Sequence, residues 1–412
     1  MKNIYLSIAK NLLKNVNFLT IFYFCVSRTI PHCQNMTQQF DVLHQTNMYA
    51  VQRKGRFLLV ELYHPSLVLS TSFVNGGLNN HLSYLVNHQS CEGKAHKERY
   101  DWMKELSQAG YHDWVCQELN LPSSKAAMMG TAAQMQYAGI QQSQFEEVHV
   151  CAIVTAGISN NSGRAGDPAL WHEREGNYIH VSAIPGTINT ILLFNQSLSN
   201  AAITRSAATM TEAKSAALAE LAIPSRYSSH LATGTGTDQF CIASPQTSAQ
   251  TYTWTGKHTK LGELVGSVVL EATKEAIRWQ NGLEPSLTRS LTHALARHNC
   301  QEAQLKTAIT EQASEVTHQM ILENWDALIS DPQVSGCAYA IAAIEDRLQY
   351  GTLPLSTRNE LLANQCALLA AAVSGKPENI GPFRDQLLRK TLSALANWIG
   401  TALIIGWENK WN

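Results

Sequence analysis

Between residues 40 and 282 the chain repeats one pattern: a short apolar run bounded by a loop of Gly, Asn, Ser and Thr. "FLLVELYHPSLVLSTSFV" at 57–74 holds two such runs around His64-Pro65, and "NGG" at 75–77 follows. "VHVCAIV" at 148–154 enters "TAGISNNSGRAGDP", "INTILLFN" at 188–195 is preceded by Gly186-Thr187, and "QFCIAS" at 239–244 is preceded by "TGTGTD". Runs of this length and composition, bounded by turn residues, read as β-strands. Helical segments lie between them. The Ala-rich stretch 197–223 is one. Thr259 caps a second through Asn281, with Leu261, Leu264, Val265, Val268 and Val269 at helical spacing. Residues 100–140 also read as helical, with Ser123 or Ser124 as a cap and Gly139 as the stop. This alternation predicts an α/β or α+β fold, a mixed sheet domain with flanking helices.

The pattern ends at about residue 283. Residues 283–412 are rich in Leu and Ala, with breaks at "SDPQVSG", "GTLPLS" and "SGKPENIGP", and predict a mainly helical C-terminal region. Its last stretch, "SALANWIGTALIIGW", is too short to span a bilayer and reads as a buried helix. Residues 1–35 differ again. Lys2, Lys10 and Lys14 precede an apolar run, as in a signal peptide, but no A-x-A cleavage site follows. They read as an apolar leader or an over-extended start ahead of a domain spanning 36–282.

Composition narrows the partners. Charged residues are 15% of the chain, against about 25% in ordinary proteins, and hydrophobic residues are 45%, which suits a large buried core. Lys and Arg number 31 against 32 Asp and Glu, with no basic run, so no nucleic-acid surface is expected. Nine cysteines are scattered without a CxxC pair. That argues against a disulfide framework or a zinc ribbon, and for a reducing, cytoplasmic compartment. A small-molecule partner fits, with no stable membrane insertion. A homo-oligomer is left open.

The loops carry the chemistry. In "TGTGTD", Gly234 and Gly236 let backbone approach a ligand, while Thr233, Thr235 and Thr237 add hydroxyls. A tight polar turn explains the same residues. In "TMTEAK", Glu212 and Lys214 stand on an Ala-rich helix, where Glu212 beside hydroxyls could work as acid or base and a solvated face is the plainer reading of both. In "GKHTKLGEL", His258 lies at a helix N-terminus, which favours the neutral imidazole, and a surface cap is the plainer reading. The loops at Asn75, Gly76, Gly77, Asn160 and Asn189 supply amides and N–H groups of the kind that hold an oxyanion.

Taken in order, "NGG", "TAGISN…AGD", "GTINTILLFNQSLSNAAI", "TMTEAKSAAL", "ATGTGTD" and "GKHTKLGEL" resemble the adenosylcobinamide amidohydrolase family, the CbiZ type, over about 57–280. Met210 stands where the family's "TATEAK" has Ala. The resemblance implies hydrolysis of the amide joining the aminopropanol arm to the corrin ring, giving adenosylcobyric acid in corrinoid salvage. The cobalt would belong to the substrate. No established catalytic set transfers with the resemblance, so the roles are read from residue chemistry. Glu212 or His258 is expected to activate water, with Asp238 orienting His258. Lys214, Asn189 and the Thr233–Thr237 turn are expected to hold the amide or the oxyanion. Trp171 and Trp254 are candidates to stack on the ring. No cofactor of the protein's own is required, although Glu212, Asp238, His258 and Glu263 are ligand types that leave a divalent metal open. Cys241, inside an apolar strand, is not expected to be a nucleophile. The competing reading is a corrinoid- or nucleotide-binding protein without turnover.

Overall fold

The computed structural model describes residues 40–90, 106–169, 171–174, 177–180, 186–247 and 250–411. The expected leader, 1–35, lies outside the described residues. Two sheets form the centre of the N-terminal part. One orders β1 (Asp41–Gln45), β2 (Tyr49–Lys54), β3 (Phe57–Leu62), β6 (Tyr84–Gln89) and β7 (Ala126–Thr131) side by side. The other orders β5 (Gly77–Asn79), β4 (Ser66–Ser70), β16 (Gln239–Pro245), β13 (Ile188–Phe194), β9 (Val148–Ala156) and β8 (Gly139–Phe145). Three short ladders accompany them: β10 (Ser162–Gly163) with β15 (Gly234–Thr235), β11 (Trp171–Arg174) with β12 (Asn177–His180), and β14 (Ser197–Leu198) with β17 (Thr251–Tyr252). His64-Pro65 is where the chain leaves the first sheet for the second.

Side-chain alternation stacks these layers. On β9 and β13, Val150, Ala152, Val154, Leu192 and Phe194 pack against helices α2 (Asn200–Glu220) and α3 (Lys260–Asn281). Their neighbours Cys151, Ile153, Ile191 and Leu193 pack against Val51, Leu58, Val60, Leu85 and Met129 of the other sheet. With both faces covered, every residue of β13 is buried, which is why residues 191–194 run apolar without alternation and the polar Asn189 and Thr190 are buried with them. The helices begin where side chains satisfy their orphan N–H groups. Ser199 accepts from the Ala202 amide, and Thr259 from the Gly262 amide.

One expected helix is mostly something else. Among the described residues of 100–140, only α1 (Gln108–Glu118) is α-helical, and Ala126–Thr131 is β7, paired in parallel with β6. "AAMM" has good helix formers but no polar stripe. Ala126, Ala127, Met128 and Met129 are all buried, so two-sided packing overrides propensity. Gly139 is not a helix stop. A Cβ there would lie 2.2 Å from the Ala272 carbonyl oxygen, so the glycine lets β8 lie against α3.

The C-terminal region is helical: α4 (Glu302–Gln312), α5 (Glu315–Glu323), α6 (Pro332–Gln349), α7 (Arg358–Ser374), α8 (Ile380–Leu388) and α9 (Leu395–Glu408), around a core of their own. "SDPQVSG" starts a helix rather than interrupting one, because Asp331 accepts from the Gln333 and Val334 amides. α9 is buried along most of its length, and no helix among the described residues is long and apolar enough to cross a membrane.

A buried polar network joins the two sheets at one end. Asn189 Nδ2 donates to Asn87 Oδ1 at 2.8 Å and to the Gly130 carbonyl at 3.1 Å. Asn87 Nδ2 in turn donates to Thr155 Oγ1 at 2.8 Å, and the Gly130 amide donates to Gln239 Oε1 at 3.0 Å. Buried acceptors stripped of a donor are costly. Asn189→Ala is therefore expected to destabilise the protein by about 1–3 kcal/mol in chemical denaturation. A residue needed only for ligand contact would leave that transition unmoved.

Candidate active site

The Thr/Gly turn wraps a carboxylate. Asp238 heads β16, beside Ile188 at the head of the parallel strand β13. Its Oδ1 accepts from the Ile188 amide at 3.0 Å and from Thr235 Oγ1 at 2.5 Å. Its Oδ2 accepts from the Thr235 amide at 3.0 Å and forms an ion pair with Lys214 Nζ, which α2 delivers. Lys214 and Asp238 are only 12% and 18% exposed, so each needs the other as a charge partner. Gly234 makes room for them. A Cβ there would lie 2.2 Å from Asp238 Oδ2 and 2.9 Å from Lys214 Nζ. The other hydroxyls hold the turn together: Thr233 Oγ1 accepts from the Ala165 amide at 2.9 Å, and Thr237 Oγ1 donates to the Gly186 carbonyl at 2.9 Å.

The ion pair stands on the wall of a cavity of about 810 Å³. The turn forms one side and Thr211, Lys214 and Ser215 of α2 another. Asn161, Arg164, Asp167 and Tyr227 contribute the rest of its polar lining. Lys214 and Asp238 also line a second cleft of about 230 Å³, with Thr190, Gln239 and Phe240. Tyr227 donates to Asn161 Oδ1 at 2.5 Å, and Asn161 Nδ2 donates to the Gly186 carbonyl at 2.6 Å. Burial and the Asp167 carboxylate raise the Tyr227 phenol above its ordinary value. Burial pushes the Asp167 carboxyl upward, but hydrogen bonds from Ser225, Ser228 and the Arg164 amide outweigh it and hold the group below its usual value.

The sequence-predicted residues fall into two groups. Lys214, Asp238, Thr233, Thr235 and Thr237 meet at the cavity. Glu212 and His258 are not among its lining residues. Glu212 is 54% exposed and pairs with Lys257 at 2.8 Å. His258 is exposed just before α3, and the acceptor bonds of Asp238 all go elsewhere, so the expected Asp238–His258 pair does not form. Asn160 is exposed, and it is the next residue, Asn161, that reaches the cavity. Asn189 is buried in the inter-sheet network. Asn75, with φ 57°, uses its amide to hold the Ser123 and Ala126 carbonyls at 2.9 Å each. A Cβ on Gly76 would lie 2.0 Å from the Ser72 carbonyl oxygen, and Gly77 has φ 80°, so "NGG" is a structural turn.

Trp254 is exposed beneath the Arg205 guanidinium, 4.5 Å from its ring centroid, and the Trp171 side chain lies outside the described residues. Burial raises the Cys241 thiol to about 12. Of the candidate metal ligands, Glu263 pairs with Lys260 at 2.7 Å, and no group of three His, Cys, Asp or Glu among the described residues is placed to hold a metal.

The sequence model of the CbiZ family, adenosylcobinamide amidohydrolase, matches residues 39–285, more than half of the chain. The chain belongs to the CbiZ family. It is also 33% identical over 255 residues to the uncharacterized protein MJ1613 of Methanocaldococcus jannaschii, covering 60% of this chain and 94% of that one. The PH0078 protein of Pyrococcus horikoshii, a crystal structure, is similar at 13% identity and a TM-score of 0.25, over 58% of this chain and 82% of that one. The CbiZ match takes in α2, the Thr/Gly turn and α3, and leaves out α4 to α9.

The two glycines of the CbiZ-family turn are predicted to differ. Gly236 has room, since a Cβ would meet Asn161 atoms at 3.6 and 3.7 Å. Gly234→Ala should lower catalytic efficiency toward the chain's substrate by about tenfold or more, and Gly236→Ala by no more than about twofold. Steady-state kinetics on the two variants, with melting curves to show that both fold, makes the comparison.

Proposed function

We propose that this chain hydrolyses the amide between the aminopropanol arm and the corrin side-chain carboxyl of adenosylcobinamide, releasing adenosylcobyric acid, in cytoplasmic corrinoid salvage. The observation that carries this reading is the Lys214–Asp238 pair on the wall of a cavity whose lining is rich in hydroxyls and glycine backbone, with Asn161, Arg164 and Asp167 beside them. Family membership supplies the substrate class. Hydrolysis adds water across the C–N bond, and the cost lies in the negative charge on the carbonyl oxygen at the tetrahedral stage. Among the described residues two cations line the cavity, Lys214 and Arg164, and we assign the charge to Lys214 because Asp238 fixes its ammonium beside the Thr/Gly turn. Both oxygens of Asp238 are engaged by donors, so it fixes the direction of Lys214 instead of acting as a free base. This departs from the roles expected of Glu212 and His258.

The test is the full chain with adenosylcobinamide, followed by mass spectrometry. Adenosylcobyric acid and free aminopropanol are the expected products. Lys214→Met should lower kcat/KM by about 100-fold or more, the range seen when an oxyanion partner is removed, and Glu212→Gln by no more than about threefold. Substrate that binds to folded protein and stays intact would mean a corrinoid-binding protein. A large loss in Glu212→Gln would return the acid–base role to that carboxylate.

A further inference from the structure

The CbiZ match leaves the helical region unexplained, yet that region grips one loop of the cavity. Pro224–Leu231 is a closed loop, bridged at its ends, with the Ser225 amide donating to the His230 carbonyl at 2.8 Å. Its first half faces the cavity. Tyr227 holds Asn161 at 2.5 Å, and Ser225 Oγ donates to Asp167 Oδ2 at 2.5 Å. Its second half is bound by the helices. Arg297, just before α4, donates to the Ser229 carbonyl at 2.8 Å while its guanidinium forks onto Asp346 of α6. Ser229 Oγ donates to Gln349 Oε1 at 2.9 Å. The His230 ring stacks on Tyr350, with centroids 5.3 Å apart and planes at 24°. The Arg297 side chain is 7% exposed, so its charge is committed to these partners.

We propose that the C-terminal helical region is a positioning element for substrate binding: through Arg297, Gln349 and Tyr350 it fixes the 224–231 loop, which presents Tyr227 to the cavity and, through Ser225, holds the lining residue Asp167. The kinetic consequence rests on the amidohydrolase reading, and the structural one does not. The Lys214–Asp238 pair is held by Thr235 and Ile188, outside this loop. Loosening the loop therefore disturbs the binding wall and leaves the charged pair in place. Gln349, Tyr350 and Ser229 are positioning residues, since they act through Tyr227 and Ser225.

The test is the full chain carrying Gln349→Ala and Tyr350→Ala, two exposed positions at the end of α6, read in two ways. Hydrogen–deuterium exchange should show the amides of Ser225, Arg226 and Tyr227 exchanging faster by about fivefold or more, with α4 to α9 unchanged. With adenosylcobinamide, KM should rise by about fivefold or more while kcat stays within about twofold. Restoring the ring with Tyr350→Phe and native Gln349 should recover both readouts. Unchanged exchange in the double variant overturns the proposal whether or not the wild type cleaves the corrinoid. Faster exchange throughout α4 to α9 overturns it too, as a general unfolding of the helices. Absence of turnover in the wild type, with loop exchange changed as predicted, upholds the positioning role and overturns the amidohydrolase reading instead.

Discussion

The site depends on a single half-buried charge pair at the mouth of two parallel strands. Two opposite charges drawn out of water must compensate each other and satisfy their remaining bonds. Asp238 does so with Lys214, the Ile188 amide and both donors of Thr235. Each partner imposes a condition on the fold. Ile188 must open β13 beside β16, α2 must cross with Lys214 facing inward, and residue 234 must have no side chain. The alternation of Thr and Gly in "TGTGTD" is the sequence record of these conditions. The threonines supply donors and turn bonds, and Gly234 supplies space.

The same end of the sandwich collects the other polar groups. β9 runs antiparallel to β13, so the loop after β9 emerges next to the start of β13, with Ala156 opposite Ile188. Asn161 is carried there, and Gly163 pairs with Gly234 across the short ladder. Beneath it, Asn189, Asn87 and Thr155 fix the separation of the two sheets with buried hydrogen bonds. A ligand cavity at this end has a rigid floor and loop-built walls, a common division of labour between scaffold and site.

Much of this was legible in the sequence. β9, β13 and β16 are short apolar runs between turn residues, and Thr259 does cap α3. Sequence could not show that "AAMM" is β7, because two-sided burial is a tertiary fact. Nor could it choose between Asn160 and Asn161, which differ only in which way the loop turns after β9. His258 looked like a partner for Asp238 because both are chemically suited. The deciding fact is that Lys214 and Thr235 already occupy the carboxylate. Asp167 stood inside the "AGD" motif without a role assigned to it, and Tyr227 was missed because nothing local marks it. Their spacing to neighbouring Ser and Arg residues is meaningful only once the 224–231 loop is folded against β10.

The central claim is that Lys214 and Asp238 act as one unit. A double-mutant cycle on kcat/KM with Lys214→Met, Asp238→Asn and the pair tests it most directly. If Asp238 works by fixing Lys214, the double variant will be no slower than the worse single variant by more than about threefold, as for residues that act together. Losses that multiply, so that the double variant falls by the product of the two single effects, would mean independent roles and would contradict the account.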